Sequence, residues 1–411
     1  MADGSRLTAD SNASKPSAVR RLPAAVWWFG ATSLANDFAS EIIYPLLPAF
    51  VTQVLGGGAL ALGVLDGVAE AVAAGFKLVS GYLAERRWTR GLLIVSGYGI
   101  ATLVRPLVAM ASAAWHVVGL RAVDRVGKGL RTAPRDVMIA DVTAHGVRGR
   151  AFGLHRAADH TGAILGPLLA TLLIARGFAL RDVFWVAALP GAVAVVLSWL
   201  AVLAARRAGP SRDDGPADTE RAGAGGPAAS FASLVLVLAL ATLLRAPETL
   251  LILRTQDLGV AVGAVPLLWA ALHVVRSSAS YPGGALADRW GARRTMAVGW
   301  LLYALLAVGF ARASTTAHAV LLFLGYGLVA ALTESPERKM IAQASGGSRR
   351  GRGFGWYHGA LSGVALPGAA LFGWLYQAHG AAVAFEFSAA ATVLALVLLA
   401  ISGGRAVAPA S

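Results

Sequence analysis

The chain has no cysteine, and Asp, Glu, Lys and Arg together make up only 14% of its 411 residues, against about 25% in a soluble domain. The missing thiols exclude disulfide frameworks, thiolate zinc sites and cysteine nucleophiles. H-E-x-x-H, G-x-S-x-G and any nucleotide-binding loop are also missing, so neither an intramembrane hydrolase nor a nucleotide-driven pump is expected. No cofactor and no resident metal site is expected either. Acids are scarce, 22 against 36 Lys and Arg, leaving a formal charge of +14. Residues 1–22 carry Arg6, Lys15, Arg20 and Arg21 with no signal-peptide pattern, and are read as a disordered tail.

What fills the chain is apolar: 56% hydrophobic residues and a mean hydropathy of +0.63. Apolar runs of roughly 20 residues, the length that crosses a hydrocarbon core, recur throughout. They predict helices at 24–53, 59–82, 91–113, 115–140, 149–176 and 181–205, then 231–257, 263–286, 293–313, 316–343, 353–378 and 381–404. Residues 206–230, rich in Gly, Pro, Ala and charge, read as a flexible linker. The expected organisation is a tail (1–22), a six-helix bundle (23–205), the linker, a second bundle (231–404) and a short tail (405–411). Twenty of the 36 Lys and Arg fall in the tails and loops on one side, and only Arg176, Arg181 and Arg312 in loops on the other. That bias places both termini in the cytoplasm and accounts for the basic charge without nucleic acid.

The two halves are related. Residues 134–156, PRDVMIADVTAHGVRGRAFGLHR, align without a gap to 336–358, PERKMIAQASGGSRRGRGFGWYH, with nine of 23 positions identical. The loop Gly81-Tyr-Leu-Ala-Glu85-Arg86-Arg-Trp-Thr-Arg90 repeats as Gly284-Ala-Leu-Ala-Asp288-Arg289-Trp-Gly291-Ala-Arg293 at an offset of about 203 residues. An even number of spans separates the copies, so the repeat is parallel, and a solute path at the interface is the usual use of such symmetry.

At these residues the chain resembles the major facilitator superfamily, whose loop motif runs Gly-x-Leu-Ala-Asp-Arg-x-Gly-Arg-Arg between the second and third helices. The resemblance extends over about 24–404. It implies an all-α membrane protein with twelve transmembrane helices in two pseudo-symmetric six-helix bundles, placed in the inner membrane and acting as a monomer on a small solute. Gly81, Glu85, Arg86, Gly284, Asp288 and Arg289 would form a cytoplasmic gate: small residues permit close approach, and the acid can cap a helix end. The alternative is topology and packing alone.

Arg121-Ala-Val-Asp124-Arg125-Val-Gly127-Lys128-Gly129 is similar to the family's Arg-x-x-Gln-Gly-x-Gly-x-Gly pattern, linked to proton coupling, with charges replacing a polar and two small residues. Gly162-x-x-x-Gly166-Pro167 resembles the fifth-helix pattern of proton-driven exporters, with the motif's later glycines replaced. A packing kink is the plain alternative.

Charges within spans must find partners or water, at roughly 2.5 to 3.5 kcal/mol each for Arg, Lys or Asp at a helix centre. Asp37 and Glu41 are four apart, as are Asp66 and Glu70, so each pair shares a helical face. Such a pair asks for a proton or cation, or for salt bridges to Lys77, Lys128 or Arg131. The proton-coupling candidates are Asp37, Glu41, Arg121, Asp124, Asp159 and His160. Candidates for the solute cavity are Tyr44, Asp66, Glu70, Lys128, Arg131, Arg156, Arg245, Glu248, Arg276, Glu334, Tyr357 and His358. Arg245, Arg254 and Arg276 suit an anion, or ion pairs with Glu248, Asp257 and Glu334. Arg105 fits no cavity position and reads as a structural partner.

The expected function is secondary transport of a polar, ionic or zwitterionic solute with a proton as coupling ion, in the direction of efflux. Alternatives are efflux of a metal cation, with His155, His160, His273 or His358 as ligands, drug efflux, organic-anion uptake, a lipid flippase or a transporter-like receptor.

Overall fold

The computed structural model describes residues 21–47, 50–56, 59–211, 227–261 and 264–404. The first half comprises α1 (Ala24–Ile43), α2 (Ala59–Leu83), α3 (Arg87–Leu107), α4 (Ala114–Val142), α5 (Arg148–Ala175) and α6, in two pieces, Leu180–Val186 and Ala188–Ala208. In the second half α7 is also in two pieces, Pro227–Leu243 and Glu248–Asp257. It is followed by α8 (Val265–Trp290), α9 (Ala292–Arg312) and α10 (Thr316–Ala344). The last helical stretch, Gly346–Gly404, is divided at Gly380 into α11 and α12. Gly380 has φ of 84°, a left-handed conformation that only glycine adopts without strain. No strand occurs among the described residues, and the protein is an all-α chain of twelve helices.

Three expected boundaries need correction, two of them for proline. A continuous helix over 24–53 is not formed: α1 stops at Ile43, and a 3-10 turn, Tyr44–Leu46, and a π turn, Phe50–Val54, follow. Pro45 lacks the N–H that would continue the ladder. The helix expected over 231–257 breaks between Leu243 and Glu248, where Pro247 has no donor and its ring would meet the carbonyl one turn earlier. Side chains satisfy the freed backbone: Ala246 N–H donates to Tyr303 Oη at 2.8 Å and to Ser388 Oγ at 3.1 Å, and Ser388 Oγ donates to Leu244 O at 2.9 Å. The expected linker, 206–230, is helical at both ends, because α6 runs to Ala208 and α7 begins at Pro227. Most of it, with residues 1–20 and 405–411, lies outside the described residues.

The apolar core is one body at one end of the molecule and two at the other. At the end carrying the repeated loops, Val26, Phe29, Ile139 and Phe152 of the first half pack into one cluster with Met296, Trp300, Ile341 and Phe354 of the second. Phe152 and Phe354 meet with ring centroids 6.1 Å apart. At the far end Ile42, Phe50, Val117 and Phe184 form a core of the first half alone, and Leu251, Phe310, Phe323 and Phe385 one of the second. Burial of apolar area stabilises association by about 25 cal/mol per Å², so the halves are held together at the loop end.

Six stretches among the described residues are apolar and long enough to cross a membrane by length and composition; the charge-rich α4 is not one of them. Its charges lie instead at the contact between helices.

Candidate functional site

The loop end is built by glycines. A Cβ at Gly284 would lie 2.1 Å from Gly149 O, and one at Gly81 would lie 2.4 Å from Gly355 Cα. With no side chain at these points, α8 meets α5 and α2 meets α11 backbone to backbone, each pair joining one half to the other. Asp288, on the last turn of α8, then reaches the first turn of α5. Its carboxylate accepts from Gly149 N–H at 2.8 Å and Arg150 N–H at 2.9 Å, two of the donors that a helix start leaves unpaired. Lys339 Nζ, 2.7 Å away, and Arg150 Nε, 3.5 Å away, supply cations.

The first copy is built differently. Glu85 pairs with Arg352 Nε at 2.5 Å, and Asp141 bridges Arg90 at 2.6 Å and Arg350 at 2.5 Å. Arg86 and Arg289, the expected gate arginines, are exposed and have no described ion pair. Asp141, Lys339, Arg350 and Arg352 carry described ion pairs at this end instead, and all four lie in the 134–156/336–358 repeat. Arg148 Nε donates to Ala140 O at 3.1 Å and Arg350 Nε to Ala342 O at 3.3 Å, the same contact at both aligned positions.

Contacts across the halves continue from Gly149 to the level of Thr161, about 18 Å of α5 at 1.5 Å per residue. Ser280, Ser277 and His273 of α8 follow in turn. A Cβ at Gly153 would lie 2.5 Å from Ser280 O, Thr161 Oγ1 and Ser277 Oγ are 2.8 Å apart, and the His160 and His273 rings are 5.2 Å apart. On the other face, Lys77 Nζ donates to Ser362 Oγ at 2.7 Å. Beyond this level the described cross-half contacts end, and Leu165, Leu168 and Leu172 of α5 are exposed. The interface is closed at the loop end.

The fifth-helix motif has a packing role toward the acids of α1. Cβ atoms at Gly162 and Gly166 would fall 3.1 Å from Asp37 Cβ and 2.6 Å from Glu41 Cβ. Bare backbone therefore presses α5 against the Asp37/Glu41 face. Asp37 accepts from Asn36 Nδ2 at 2.8 Å, while Asp159 on α5 accepts from Ser33 Oγ at 2.5 Å and Arg156 at 2.5 Å. Arg156 Nε also stands 2.8 Å from Glu334 on α10, so one guanidinium joins a carboxylate of each half. Arg338 lies 3.8 Å from Glu334 and 3.6 Å from Asp136, and Asp136 in turn holds Arg135 at 3.0 Å and His358 at 2.8 Å.

Asp124 is the hub of a separate buried network. Arg105, Arg121 and Arg125 stand 2.9, 3.3 and 3.8 Å from its carboxylate. Arg105 also donates to Asn36 Oδ1 at 3.0 Å, and Arg131 to Asn36 Oδ1 at 3.3 Å and Gly97 O at 3.1 Å. Three cations around one acid tie α3, α4 and α1 together. Arg121 and Asp124 thus sit in this network and not beside Asp159 and His160. Tyr44 is exposed beneath the Arg121 guanidinium, 4.7 Å from ring centre to Cζ.

In the second half Arg276 pairs with Glu248 at 2.5 Å, and Arg254 donates to Phe310 O at 3.2 Å and Ala313 O at 2.9 Å. Arg254 thus donates to two backbone carbonyls. Tyr357 is buried and donates to Glu337 at 2.9 Å. Glu70 and Lys128 have no described ion pair; Glu70 is exposed and Lys128 half-buried. Asp66 lies on α2, and its side chain is outside the described residues. Among the described residues no three His, Asp or Glu side chains converge as a metal-ligand set.

A family model described as Major Facilitator Superfamily matches residues 29–255 and 228–410. An uncharacterised MFS-type transporter of Methanocaldococcus jannaschii is 27% identical over 387 residues, 92% of this chain and 95% of that one. The multidrug resistance protein MdtH of Photorhabdus laumondii is 27% identical over 137 residues, 33% of this chain and 34% of its own. In fold, the crystal structure of the human organic anion transporter MFSD10 superposes with a TM-score of 0.74 at 16% identity, covering 91% of this chain and 98% of that one.

Proposed function

Because this chain belongs to the major facilitator superfamily, with the integral multi-pass fold of its transporters, we propose that it moves a small polar, ionic or zwitterionic solute by alternating access, as proton-coupled efflux. The positive side of the chain faces the cytoplasm in this reading, in the inner membrane, so the closed loop end is the cytoplasmic gate. The charges around the interface serve a hydrated path between the halves.

The observation that carries the reading is the cross-half cluster at the inner limit of the closed region. Arg156 holds Asp159 of its own half and Glu334 of the other. Rocking the halves apart has to separate Arg156 from Glu334. Breaking such a pair leaves an uncompensated charge worth about 3–5 kcal/mol, and a proton taken by Glu334 or Asp159 removes much of that cost. His160, 4.0 Å from Glu334, can pass the proton. Efflux is favoured by the Gly162-x-x-x-Gly166-Pro167 segment and by the partial likeness to a multidrug resistance protein.

Proteoliposomes with an imposed pH gradient and a panel of organic anions, zwitterions, drugs and metal cations test this. The expected result is gradient-dependent flux of an organic solute, with Glu334→Gln keeping binding but losing dependence on the gradient. Unchanged gradient dependence in both Glu334→Gln and Asp159→Asn would sink the choice of proton site.

A further inference from the structure

Arg245, inside the second half, has neither an acid nor a carbonyl among its described partners. Arg245 stands at the break of α7, and its guanidinium has no described hydrogen bond or ion pair. Its Nε is buried and unpartnered, while the residue as a whole is half-buried. Three other arginines expected at the solute path are committed: Arg276 to Glu248, Arg254 to two carbonyls, Arg156 to Asp159 and Glu334. Glu337 feels the Arg245 charge but lies outside ion-pair contact and accepts from Tyr357. A guanidinium left in a membrane-embedded bundle without an acceptor is costly, and such a residue marks a binding function unless a partner is found.

Its surroundings specify what would bind. Arg245 Cζ lies 5.0 Å from the Tyr303 ring centre, Tyr303 lies 6.2 Å from Tyr326, and Arg276 faces Tyr326 at 5.4 Å and Trp269 at 6.0 Å. Tyr303 spends its hydroxyl on the α7 break, which fixes Arg245 in place. Non-helical backbone at membrane depth is tolerated only where protein buries it or a cavity opens on it. The guanidinium fork matches a planar oxyanion, and the neighbouring rings match a flat apolar body.

We propose that Arg245 is the solute's anion-holding residue and that the transported solute is a small organic anion, a carboxylate or phosphate joined to an aromatic or similarly flat body. This rests on the transporter reading above. Full-length protein in detergent is titrated with benzoate, benzamide and phenyl phosphate, following tryptophan fluorescence and the thermal midpoint. An anion is expected to bind about ten-fold or more tightly than the amide, as a charge-assisted pair requires. Benzoate against phenyl phosphate tells the two oxyanions apart. Arg245→Gln should abolish the preference, Arg245→Lys should keep part of it, and Arg245→Gln without ligand should melt no lower than the wild type, because the lost cation had no acid partner.

No anion preference in the wild type, or a preference that survives Arg245→Gln, overturns the proposal. A lowered unliganded midpoint in Arg245→Gln, restored by Arg245→Lys, makes Arg245 structural and overturns it as well. The two readings fail separately. Arg245-dependent anion binding without flux removes transport and keeps this site, whereas flux of cationic solutes untouched by Arg245→Gln keeps transport and removes the site.

Discussion

The two copies of the loop signature do the same job with different chemistry. In the second, α8 runs to Trp290 and reverses at Gly291, whose φ of 92° permits an abrupt stop. Asp288 is therefore still helical, and its side chain, 6% exposed, caps the backbone of α5. In the first, Trp88 stands where Gly291 does, and α2 ends at Leu83. Glu85 falls in the following turn and reaches Arg352, which is 44% exposed. Thr89 Oγ1 closes that turn instead, donating to Leu83 O at 2.5 Å and Arg86 O at 2.7 Å. One glycine separates a buried cap from a solvated salt bridge, so the contact between the halves at the loop end is asymmetric in strength though symmetric in place.

The largest expected effect comes from breaking the strong side. Asp288→Ala leaves Lys339 buried with only Ala287 O as a described partner and removes the cap of α5, at a cost of about 3–5 kcal/mol. It should lower the thermal midpoint and lengthen the distance between spin labels at Tyr82→Cys and Trp356→Cys, which the absence of native cysteine makes straightforward. The smallest comes from the weak side. Glu85→Gln removes a partly exposed pair worth about 0–1 kcal/mol, and the same label distance should barely change. Equal responses from the two variants would show that the asymmetry described here does not govern closure.

Much of this was legible in the sequence because lipid and symmetry leave few choices. Apolar run length gave the twelve helices, and the ungapped repeat gave the two halves and the ends that meet. The acid of the loop motif was readable as a helix cap, but not that it caps a helix of the opposite half, since that depends on which helices the glycines bring together. Proline ends α1 early and splits α7, although the apolar runs continue through both prolines. Pairing among the charges was least legible. Asp124 looked like a coupling site from its motif, yet three arginines from two helices enclose it, and no spacing rule reports a partner such as Arg105 on another helix. Arg245, Arg254 and Arg276 looked alike in sequence and have three different fates.

The proposed transport requires the halves to separate at the loop end. Glu85→Cys with Arg352→Cys places two thiols where a solvated ion pair now joins α2 to the start of α11, at little cost in stability. A short bis-methanethiosulfonate, which joins the two thiols through reducible disulfides, is applied to this variant in proteoliposomes and aromatic carboxylate flux is measured. The expected result is flux before cross-linking, its loss when the bridge forms and its return on reduction; flux that is absent from the start, or that continues unchanged through the cross-link, rules out an opening at this end.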